Sequence, residues 1–513
     1  MTRTLLLSVL LAAVAISAPT WLCRVEFENF EDVYAVAATG AKVVMCLDEC
    51  CLVHAEAEAL AGLDAAGFGF ELLDAGPQHK EYVYVMPVPE FDRSELARYG
   101  RVLTEDRDGV VLATDTEGIF RLTGLPVELA GVGNEEMPLE RRSTEPEPLA
   151  VPDSLVRELV GRVSDDTLHS MLLRMREFRT RYSTTDSCRS AMEWVRQLFL
   201  GYGCDSVHMD TFLLNYAPSC IGVKRGTLHP EEVFVVCGHV DATSEFEHRL
   251  TNTPGSEDNA SGASAVLELA RVMADMRFQK TVWYIGFSGE EQGLHGSDSF
   301  ARHAMLRGDS ILLSINFDMI SYSTTHPDWM EMYGCTDSPP SVTWLDFFLA
   351  QADTFTDLQA ERIVEGVPAR RSDHYSFWKY GFPFIRGGYK DRTPKYHTIG
   401  DTIGPPGYVN CGTNNIPMHG EVVKALVATV AKLAGAEPMT GVEEGPERGR
   451  TRTEPRLPTV MRAPELARYG GRVFDIHGRE VTRSRTGIAP GVYFLRSEQD
   501  GRMHAGQKVV VQQ

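Results

Sequence analysis

The stretch Val233-Phe234-Val235-Val236-Cys237-Gly238-His239-Val240-Asp241 decides the fold of this chain. Its first five residues form a short apolar run rich in β-branched side chains, which is typical of a strand buried on both faces of a parallel sheet. Polar residues follow at once, and their burial is costly unless they bind something. Residues two apart in an extended chain point the same way, so Asp241 can hydrogen-bond the ring of His239 and fix the tautomer of a metal-binding imidazole.

Similar apolar runs recur further along the chain. They cover residues 281–287, 311–317 and 382–385, and helical segments such as residues 262–276 separate them. Short buried strands that alternate with helices indicate a parallel sheet covered on both faces. The sequence therefore predicts a doubly wound, mostly parallel α/β domain over residues 151–436.

Residue types that bind metals follow these strands or the loops between them. The carboxyl ends of parallel strands meet in one crevice, so we expect these residues to come together there. Two imidazoles and three carboxylates are a ligand set that zinc accepts, and five such side chains can hold two ions if one carboxylate bridges. The candidate ligands are His239, Asp258, Glu291, Asp318 and His397.

Glu290 and Glu291 are adjacent carboxylates directly after the strand at residues 281–287. A solvated loop pair is the simplest interpretation, but the long apolar strand before them argues against free exposure. The two side chains cannot do the same job. If Glu291 binds a metal, Glu290 is placed to take a proton from metal-bound water.

Six short motifs occur in order along the middle of the chain. They are Gly238-His239-Val240-Asp241, Asp258-Asn259-Ala260-Ser261-Gly262, Gly289-Glu290-Glu291-Gln292-Gly293-Leu294, Asn316-Phe317-Asp318-Met319, Ser372-Asp373-His374 and Tyr396-His397-Thr398. Taken together they resemble the M28 zinc peptidases, the group of bacterial leucyl aminopeptidases and related exopeptidases. The resemblance implies an enzyme, a zinc metallopeptidase with two zinc ions.

The resemblance also implies a role for each residue. His239 and Asp318 would hold one zinc, Glu291 and His397 the other, and Asp258 would bridge them. Glu290 would be the general base, and the Asp258–Asn259 peptide would be cis. Tyr396 would donate a hydrogen bond to the developing oxyanion. The residues interpreted as supporting the ligands are Asp241, Asp373 and Asp401.

Alternatives remain open at this point. Ser372-Asp373-His374 is no serine-hydrolase triad, because three consecutive residues cannot converge, and Asp373 and His374 are interpreted as pocket or ligand-supporting residues. The substrate is expected to be a peptide or protein N-terminus, but a carboxypeptidase or a one-zinc glutaminyl cyclase would share the ligand set. A catalytically inactive binding protein is disfavoured, because neither a ligand nor Glu290 is missing.

Residues 25–139 contain a weak internal repeat. Each half has the pattern strand, strand, short helix, strand, which predicts a small α+β accessory module with no evident chemistry. Its role is open between an inhibitory prosegment, a targeting piece and a permanent domain. Residues 140–152, rich in Glu, Arg and Pro, are interpreted as a linker.

The C-terminal part of the chain is predicted to be a polar linker, residues 437–464, followed by a small all-β module, residues 465–513. Three segments of the module resemble the sorting domain of type IX secretion, which implies a secretion machinery as partner. A generic immunoglobulin-like appendage is the alternative. The segments are Gly478-Arg479-Glu480-Val481, Gly491-Val492-Tyr493-Phe494-Leu495-Arg496 and Lys508-Val509-Val510.

Residues 1–17 have the pattern of an export signal, with Arg3 before an apolar run at residues 5–16 and small residues at Ala15 and Ser17. The run is too short for a membrane anchor, so a secreted or cell-surface protein without stable membrane insertion is expected. Across 513 residues the net charge is −21, which excludes a general nucleic-acid binder. Ten cysteines could pair in an exported chain, but the absence of a CxxC pair disfavours a thiolate zinc site.

Overall fold

A computed structural model describes residues 20–47, 49–77, 81–89, 91–133, 136–139, 148–324, 329–405 and 407–439, and the backbone of six short strands between 459 and 512. The predicted export signal and residues 140–147 of the predicted linker lie outside the described residues. The chain divides into two compact units, Met1–Met439 and Thr440–Gln513.

The N-terminal module consists of two halves with the same topology. The sheet orders are β2-β3-β1-β4 and β6-β7-β5-β8, with every neighbouring pair antiparallel. Each half begins with a strand and a helix that the sequence pattern missed. The first half is β1 (Trp21–Glu26), α1 (Glu31–Ala38), β2 (Lys42–Cys46), β3 (Cys50–Ala55), α2 (Ala57–Ala66) and β4 (Phe70–Ala75). The second is β5 (Glu81–Pro87), a 3₁₀ helix (Arg93–Arg98), β6 (Arg101–Glu105), β7 (Val110–Thr114), α3 (Thr116–Leu122) and β8 (Val127–Val132).

The larger part of this unit is a sheet with helices on both faces. Its elements are α4 (Asp153–Val160), α5 (Asp165–Glu177), α6 (Asp186–Gly201), β9 (Ser206–Asp210), β10 (Ser219–Lys224), β11 (Gly226–His239), α7 (Gly262–Val272), β12 (Met276–Phe287), α8 (His295–Arg307), β13 (Ser310–Asp318), β14 (Trp329–Cys335), α9 (Pro339–Phe355), β15 (Gln359–Glu365), α10 (His374–Lys379), β16 (Phe384–Tyr389), α11 (Ile416–Ala434) and β17 (Ala436–Pro438). In the described part of the chain, every helix is too short or too polar to span a bilayer.

The sheet is mixed rather than mostly parallel. Its order is β15-β14-β16-β13-β11-β12-β10-β9, with β17 beside β12. The central strands β16, β13, β11 and β12 are parallel, whereas β10 joins β12 and β14 joins β16 in antiparallel pairs. The β9–β10 connection, residues 211–218, is too short for a crossover helix, so these two strands also pair antiparallel.

Strand β11 lies at the centre of this sheet and is buried on both faces. Phe234 and Val236 pack into the apolar cluster on one side, and Val233, Val235 and Cys237 into the cluster on the other. Burial of one such side chain contributes about 1.5–3 kcal/mol. The strand is therefore held rigidly, and its last residue, His239, has a fixed position.

The module packs directly on the α/β part. Tyr84 and Val111 of the module share one apolar cluster with Leu294, Tyr375 and Trp378 of the α/β part. This continuous cluster explains why the two parts form a single compact unit. It also brings β8 to the carboxyl edge of the central strands.

The cysteines do not form the disulfides that an exported chain could have. All ten are free thiols, and all but Cys204 are buried. Cys50 accepts a hydrogen bond from Arg24 at 3.3 Å, and burial raises the pKa of the Cys23 thiol to about 11. Buried thiols with raised pKa values behave as small apolar side chains.

The second unit is described by its backbone alone. Its strands are β18 (Thr459–Arg462), β19 (Arg472–Asp475), β20 (Gly491–Arg496), β21 (Glu498–Gln499), β22 (Arg502–Met503) and β23 (Gln507–Gln512). Four of them form a sheet in the order β18-β23-β20-β19. Strand β18 lies inside the stretch predicted as a linker. The segment is a strand because its backbone pairs with β23, although the residues around it in the sequence are polar.

Candidate metal centre

The five candidate ligands come together at the carboxyl edge of the central strands. His239 ends β11, Asp318 ends β13 and Glu291 follows β12, while Asp258 lies in the turn Ser256–Ser261 before α7. His397 comes from the loop between β16 and α11. We name this group, together with the adjacent Glu290, the cleft floor.

Asp258 occupies the middle of the cleft floor. Its Oδ1 lies 3.3 Å from Nε2 of His239, and its Oδ2 lies 3.1 Å from Nε2 of His397. On one side, Oδ1 of Asp318 is 3.6 Å from Nε2 of His239. On the other, Oε2 of Glu291 is 3.0 Å from Nε2 of His397. One carboxylate therefore faces two groups of ligand atoms, which is the arrangement that a bridging ligand needs.

The donor atoms of the cleft floor fit metal ions. Nε2 of His239, Nε2 of His397 and Oδ1 of Asp318 are buried and lack a hydrogen-bond partner among the described residues. Unpaired polar atoms of this kind are expensive to bury, and a bound cation would satisfy all three. Imidazole nitrogen and carboxylate oxygen are the donors that zinc takes in catalytic sites.

The electrostatics of the floor also favour a cation. Burial alone would lower the pKa of His397, but the carboxylates of Glu291 and Asp258 raise it well above its ordinary value. Burial raises the pKa of Glu291 to about 7 and that of Glu290 well above its ordinary range. Several carboxylates share one dry site, and positive charge is what relieves their repulsion.

Asp241 supports the floor in a different way from the one predicted. Nδ1 of His239 lies 3.1 Å from the backbone oxygen of Asp241, while the nearer carboxylate oxygen is 3.7 Å away. The carboxylate instead accepts hydrogen bonds from Ser183 Oγ at 2.7 Å and from the backbone N–H groups of Glu290 and Glu291. It is drawn to these donors because they are otherwise unpaired at the end of β12. Asp241 thus holds the loop that carries both glutamates.

Asp401 positions Asp258. Its two carboxylate oxygens accept hydrogen bonds from the backbone N–H groups of Glu257 at 2.9 Å and Asp258 at 3.0 Å. Glu257, which the sequence pattern did not single out, accepts two bonds from the backbone of Ser321. The Asp258–Asn259 peptide is cis, as the resemblance implies. The turn is therefore fixed from two sides by buried carboxylates.

Arg181 was missed by the sequence analysis and also holds the floor. Its fully buried guanidinium donates to the backbone oxygens of Val240 at 2.6 Å, Pro254 at 2.5 Å and Gly255 at 2.7 Å. It thus ties the chain beyond His239 to the turn that carries Asp258. No strand ending or motif marks this arginine, so the sequence offered no signal for it.

The run Ser372-Asp373-His374 does not form a hydrolytic triad. Ser372 accepts a hydrogen bond from Asn316, and His374 packs against the ring of Phe384 with centroids 5.0 Å apart. Asp373 is fully buried, and burial raises its pKa to about 7. Its carboxylate oxygens form no hydrogen bond within the described chain, so it lies behind the floor without bonding to a ligand.

Glu290 and Tyr396 face the space above the floor. Oε2 of Glu290 lies 3.7 Å from Nε2 of His239, and the side chain lines a cavity together with Tyr396. The Tyr396 ring stacks on His397 with centroids 3.8 Å apart. Tyr389 lines the same cavity and was not predicted. The structure therefore offers two tyrosines near the floor.

The N-terminal module covers the floor. The backbone oxygen of Leu125 lies 3.1 Å from Nδ1 of His397, and that of Thr123 accepts a hydrogen bond from Thr243 Oγ1 at 2.7 Å. Glu128 and Leu129 of β8 close the cavity from above, which leaves about 10 Å³, room for about one water molecule. We name Thr123, Leu125, Glu128 and Leu129 the cleft roof.

Two arginines in this cavity were not predicted either. Arg371 and Arg386 line it beside Glu128. Arg386 follows the predicted strand at residues 382–385 directly, so the rule used for the other strand endings could have found it. Glu128 and Arg371 carried no such signal, because only the packing of the module brings them to the floor.

Comparison with known proteins agrees with this geometry. Residues 220–414 match Peptidase family M28, a range that contains every residue of the cleft floor. A probable zinc metalloprotease of Leptosphaeria maculans is 25% identical over 194 residues, which cover 34% of this chain and 45% of that protein. A probable leucine aminopeptidase of Arthroderma otae is 25% identical over 354 residues, covering 65% of this chain and 86% of the relative. The chain thus spans less than half the length of the first of these relatives.

A solved structure has a similar fold. The LapA aminopeptidase of Legionella pneumophila superposes with a TM-score of 0.52 and 19% identity, over 69% of this chain and 98% of that one. At this identity the likeness concerns the fold. The middle of the chain therefore matches Peptidase family M28 in sequence, and the unit that contains it has the fold of a known aminopeptidase.

Proposed function

We propose that this protein is an exported zinc metallopeptidase with two metal ions, and that it acts as an aminopeptidase. The observation that supports this most is the position of Asp258, whose two carboxylate oxygens each face the unpaired Nε2 of one buried histidine. The similarity to proteins described as zinc metalloprotease and leucine aminopeptidase supports the reaction type.

The residues fit the two metal positions as follows. His239 and Asp318 would hold one ion, His397 and Glu291 the other, and Asp258 would contribute one oxygen to each. Zinc bound there would supply an acidified water and polarise the carbonyl of the scissile peptide bond. Peptide hydrolysis then needs a group on the protein that moves one proton.

Glu290 is suited to that task. Burial and the neighbouring carboxylates raise its pKa, so a proton taken from the attacking water can stay on its carboxylate until the amine leaves. Glu290 takes one proton as the C–O bond forms and returns it to the nitrogen as the C–N bond breaks, so the base is regenerated. Tyr396 or Tyr389 can donate a hydrogen bond to the oxyanion from the cavity wall.

Metal content and turnover test this proposal together. Purified full chain would be analysed for zinc, and aminoacyl anilides would be assayed before and after limited proteolysis, because the roof restricts access. Two zinc ions with turnover abolished in Glu290→Gln support the proposal. One zinc would redirect the search to cyclase chemistry, and two zincs without aminopeptidase turnover would redirect it to carboxypeptidase substrates. No metal under zinc-replete conditions would refute it.

Export and surface delivery belong to the same proposal. Residues 1–17 support it by their signal-like pattern, and the short strands of the second unit are compatible with either a sorting module or an immunoglobulin-like appendage. Secretion of a reporter fused to residues 440–513, in a host with and without the type IX machinery, separates the two.

A further inference from the structure

Glu128 of the cleft roof has an unusual environment for a carboxylate on an accessory module. Its side chain is only 16% exposed, and its Oε2 is buried without a hydrogen-bond partner among the described residues. It projects into the small cavity above the metal ligands, where the other lining residues include Asp258, Glu290 and Asp318. A carboxylate placed among carboxylates needs a compensating cation.

Two arginines of the α/β part supply that compensation. Nη1 of Arg371 lies 3.8 Å from Oε1 of Glu128, and the ion pair raises the pKa of Arg371. Arg386 is 6% exposed, and its Nε has no hydrogen-bond partner in the described part of the chain. Its guanidinium lies 5.0 Å from the centre of the Tyr333 ring, which holds it in place. Both arginines belong to the α/β part, and both line the cavity.

We infer that Arg371 and Arg386 form a carboxylate-binding subsite beside the metal centre, and that Glu128 fills this subsite in place of a substrate carboxylate. The inference rests on the proposed peptidase function. It names the substrate class as peptides that carry a carboxylate next to the scissile bond. That carboxylate is either the side chain of an acidic residue or the C-terminal carboxylate of the peptide.

The small volume of the cavity means that Glu128 and a substrate cannot occupy it together. A space of about 10 Å³ cannot admit a peptide, so the roof must leave the floor before a substrate binds. When the roof leaves, Arg371 and Arg386 lose the nearby carboxylate of Glu128. A guanidinium is well suited to a carboxylate because it offers planar, paired N–H donors. A substrate carboxylate then restores the charge balance that Glu128 provides now.

Chemical rescue in the full chain tests the subsite without relying on enzyme activity. Glu128→Ala opens a vacancy between the two arginines and is expected to lower the melting temperature. Propionate should raise that temperature again in a saturable way, whereas uncharged propionamide should not. Glu128→Gln is the matched control, because its side chain fills the same space and leaves no room for propionate.

The arginine variants complete this test. Adding Arg371→Met or Arg386→Met to Glu128→Ala should abolish the effect of propionate. Equal rescue by propionate and propionamide, or rescue that survives both arginine substitutions, would overturn the inference. If Glu128→Ala proves too unstable to purify, Glu128→Ser offers a smaller vacancy. Propionate and propionamide are then compared in that variant, with the same expected difference.

Substrate pairs then distinguish the two sources of the carboxylate. After limited proteolysis that releases the roof, a Glu anilide should exceed a Gln anilide about tenfold in kcat/KM if a side-chain carboxylate binds, a ratio that corresponds to about 1.4 kcal/mol. An acylated dipeptide with a free C-terminus should exceed its amide if a terminal carboxylate binds. Loss of either preference in Arg371→Met supports the subsite. A preference that persists there contradicts it, while the zinc analysis above decides the peptidase function separately.

Discussion

The cleft floor and the cleft roof enclose the same small cavity, but they are built on different principles. The floor consists of side chains at the ends of central strands and in two adjoining loops, and three of its ligand atoms are buried with no hydrogen-bond partner among the described residues. Backbone oxygens of the roof pair with Thr243 and His397 of the α/β part. Two roof side chains add to this, since Thr123 bonds Arg249 and Glu128 faces Arg371. The floor therefore holds the side chains suited to metal binding and proton transfer, whereas the roof holds the residues that cover them.

The floor and the roof also differ in the interactions that hold them in place. The floor is held by a clamp that involves fully buried groups, such as Arg181, and it cannot relax without exposing several polar atoms. The roof is attached by a few polar contacts and by the apolar cluster that the module shares with the α/β part, so its release should leave the buried clamp of the floor intact. Variants on the two sides should therefore differ in whether they change catalysis, stability or access.

The largest effect is expected from Glu290 on the floor. Glu290→Gln removes the proton acceptor and should lower kcat by about 10²–10⁴-fold, with zinc content unchanged. Glu291→Gln is the matched control, since it should lose zinc as well as activity. Metal analysis and anilide hydrolysis of both variants measure this. Equal zinc loss in the two would contradict separate roles for the adjacent glutamates.

Arg181 tests whether the floor is a rigid clamp. Arg181→Met removes four hydrogen bonds to backbone oxygens, the longest to Met175 at 3.4 Å, and leaves those oxygens buried. The free energy of unfolding should therefore fall by at least about 3 kcal/mol. Urea unfolding of the metal-free protein measures it. Arg181→Lys keeps the charge but not the planar donor fork of the guanidinium, so its free energy of unfolding should lie between those of wild type and Arg181→Met. If Arg181→Met lowers the free energy of unfolding by less than a typical surface substitution does, the clamp does not stabilise the floor.

Thr123 provides the corresponding test on the roof. Its Oγ1 accepts a hydrogen bond from Nη1 of Arg249 at 2.5 Å and lies 3.1 Å from the hydroxyl of Tyr182. Thr123→Val leaves the Arg249 guanidinium and the Tyr182 hydroxyl buried without this partner. It should lower the free energy of unfolding by about 1–3 kcal/mol. Thr123→Ser keeps the hydroxyl and should be near wild type. Zinc content should not change in either variant. A loss of zinc in Thr123→Val would contradict the view that the roof does not support the metal site.

The smallest effect within one pH unit is expected from Asp373, as a pH dependence of stability. Burial raises its pKa to about 7 from an ordinary 3.8, so the folded protein binds this proton more tightly than the unfolded chain does. Between about pH 4 and pH 7 the stability of the metal-free protein should then fall as pH rises, by at most about 1.4 kcal/mol per pH unit. Asp373→Asn should flatten that slope. An unchanged slope in unfolding experiments at several pH values would assign it to other groups.

Much of the floor could be predicted from the sequence because its residues sit beside recognisable strands. An apolar run such as residues 233–237 can only be buried, and whatever follows it must lie at the carboxyl edge of the sheet. Asp241 shows the limit of this reasoning. The alternation of side chains correctly placed it near His239, but the donors after β12 decided which bonds its carboxylate forms.

The antiparallel edges of the sheet, the clamp of Arg181 and the whole of the roof could not be predicted in this way. They depend on contacts between residues far apart in the sequence, such as Leu125 with His397 and Glu128 with Arg371. No local period or motif encodes such a contact. It forms because an apolar cluster shared by the module and the α/β part brings the two surfaces together.

The sequence by itself determined the central strands, the five candidate ligands and the adjacent glutamate, because buried apolar strands with polar endings have few alternative arrangements. Only the tertiary structure decided that Glu128 closes the site and faces Arg371 and Arg386. The physical reason is that strand burial is a local property of the chain, whereas charge pairing across a cleft depends on how two separately folded surfaces pack.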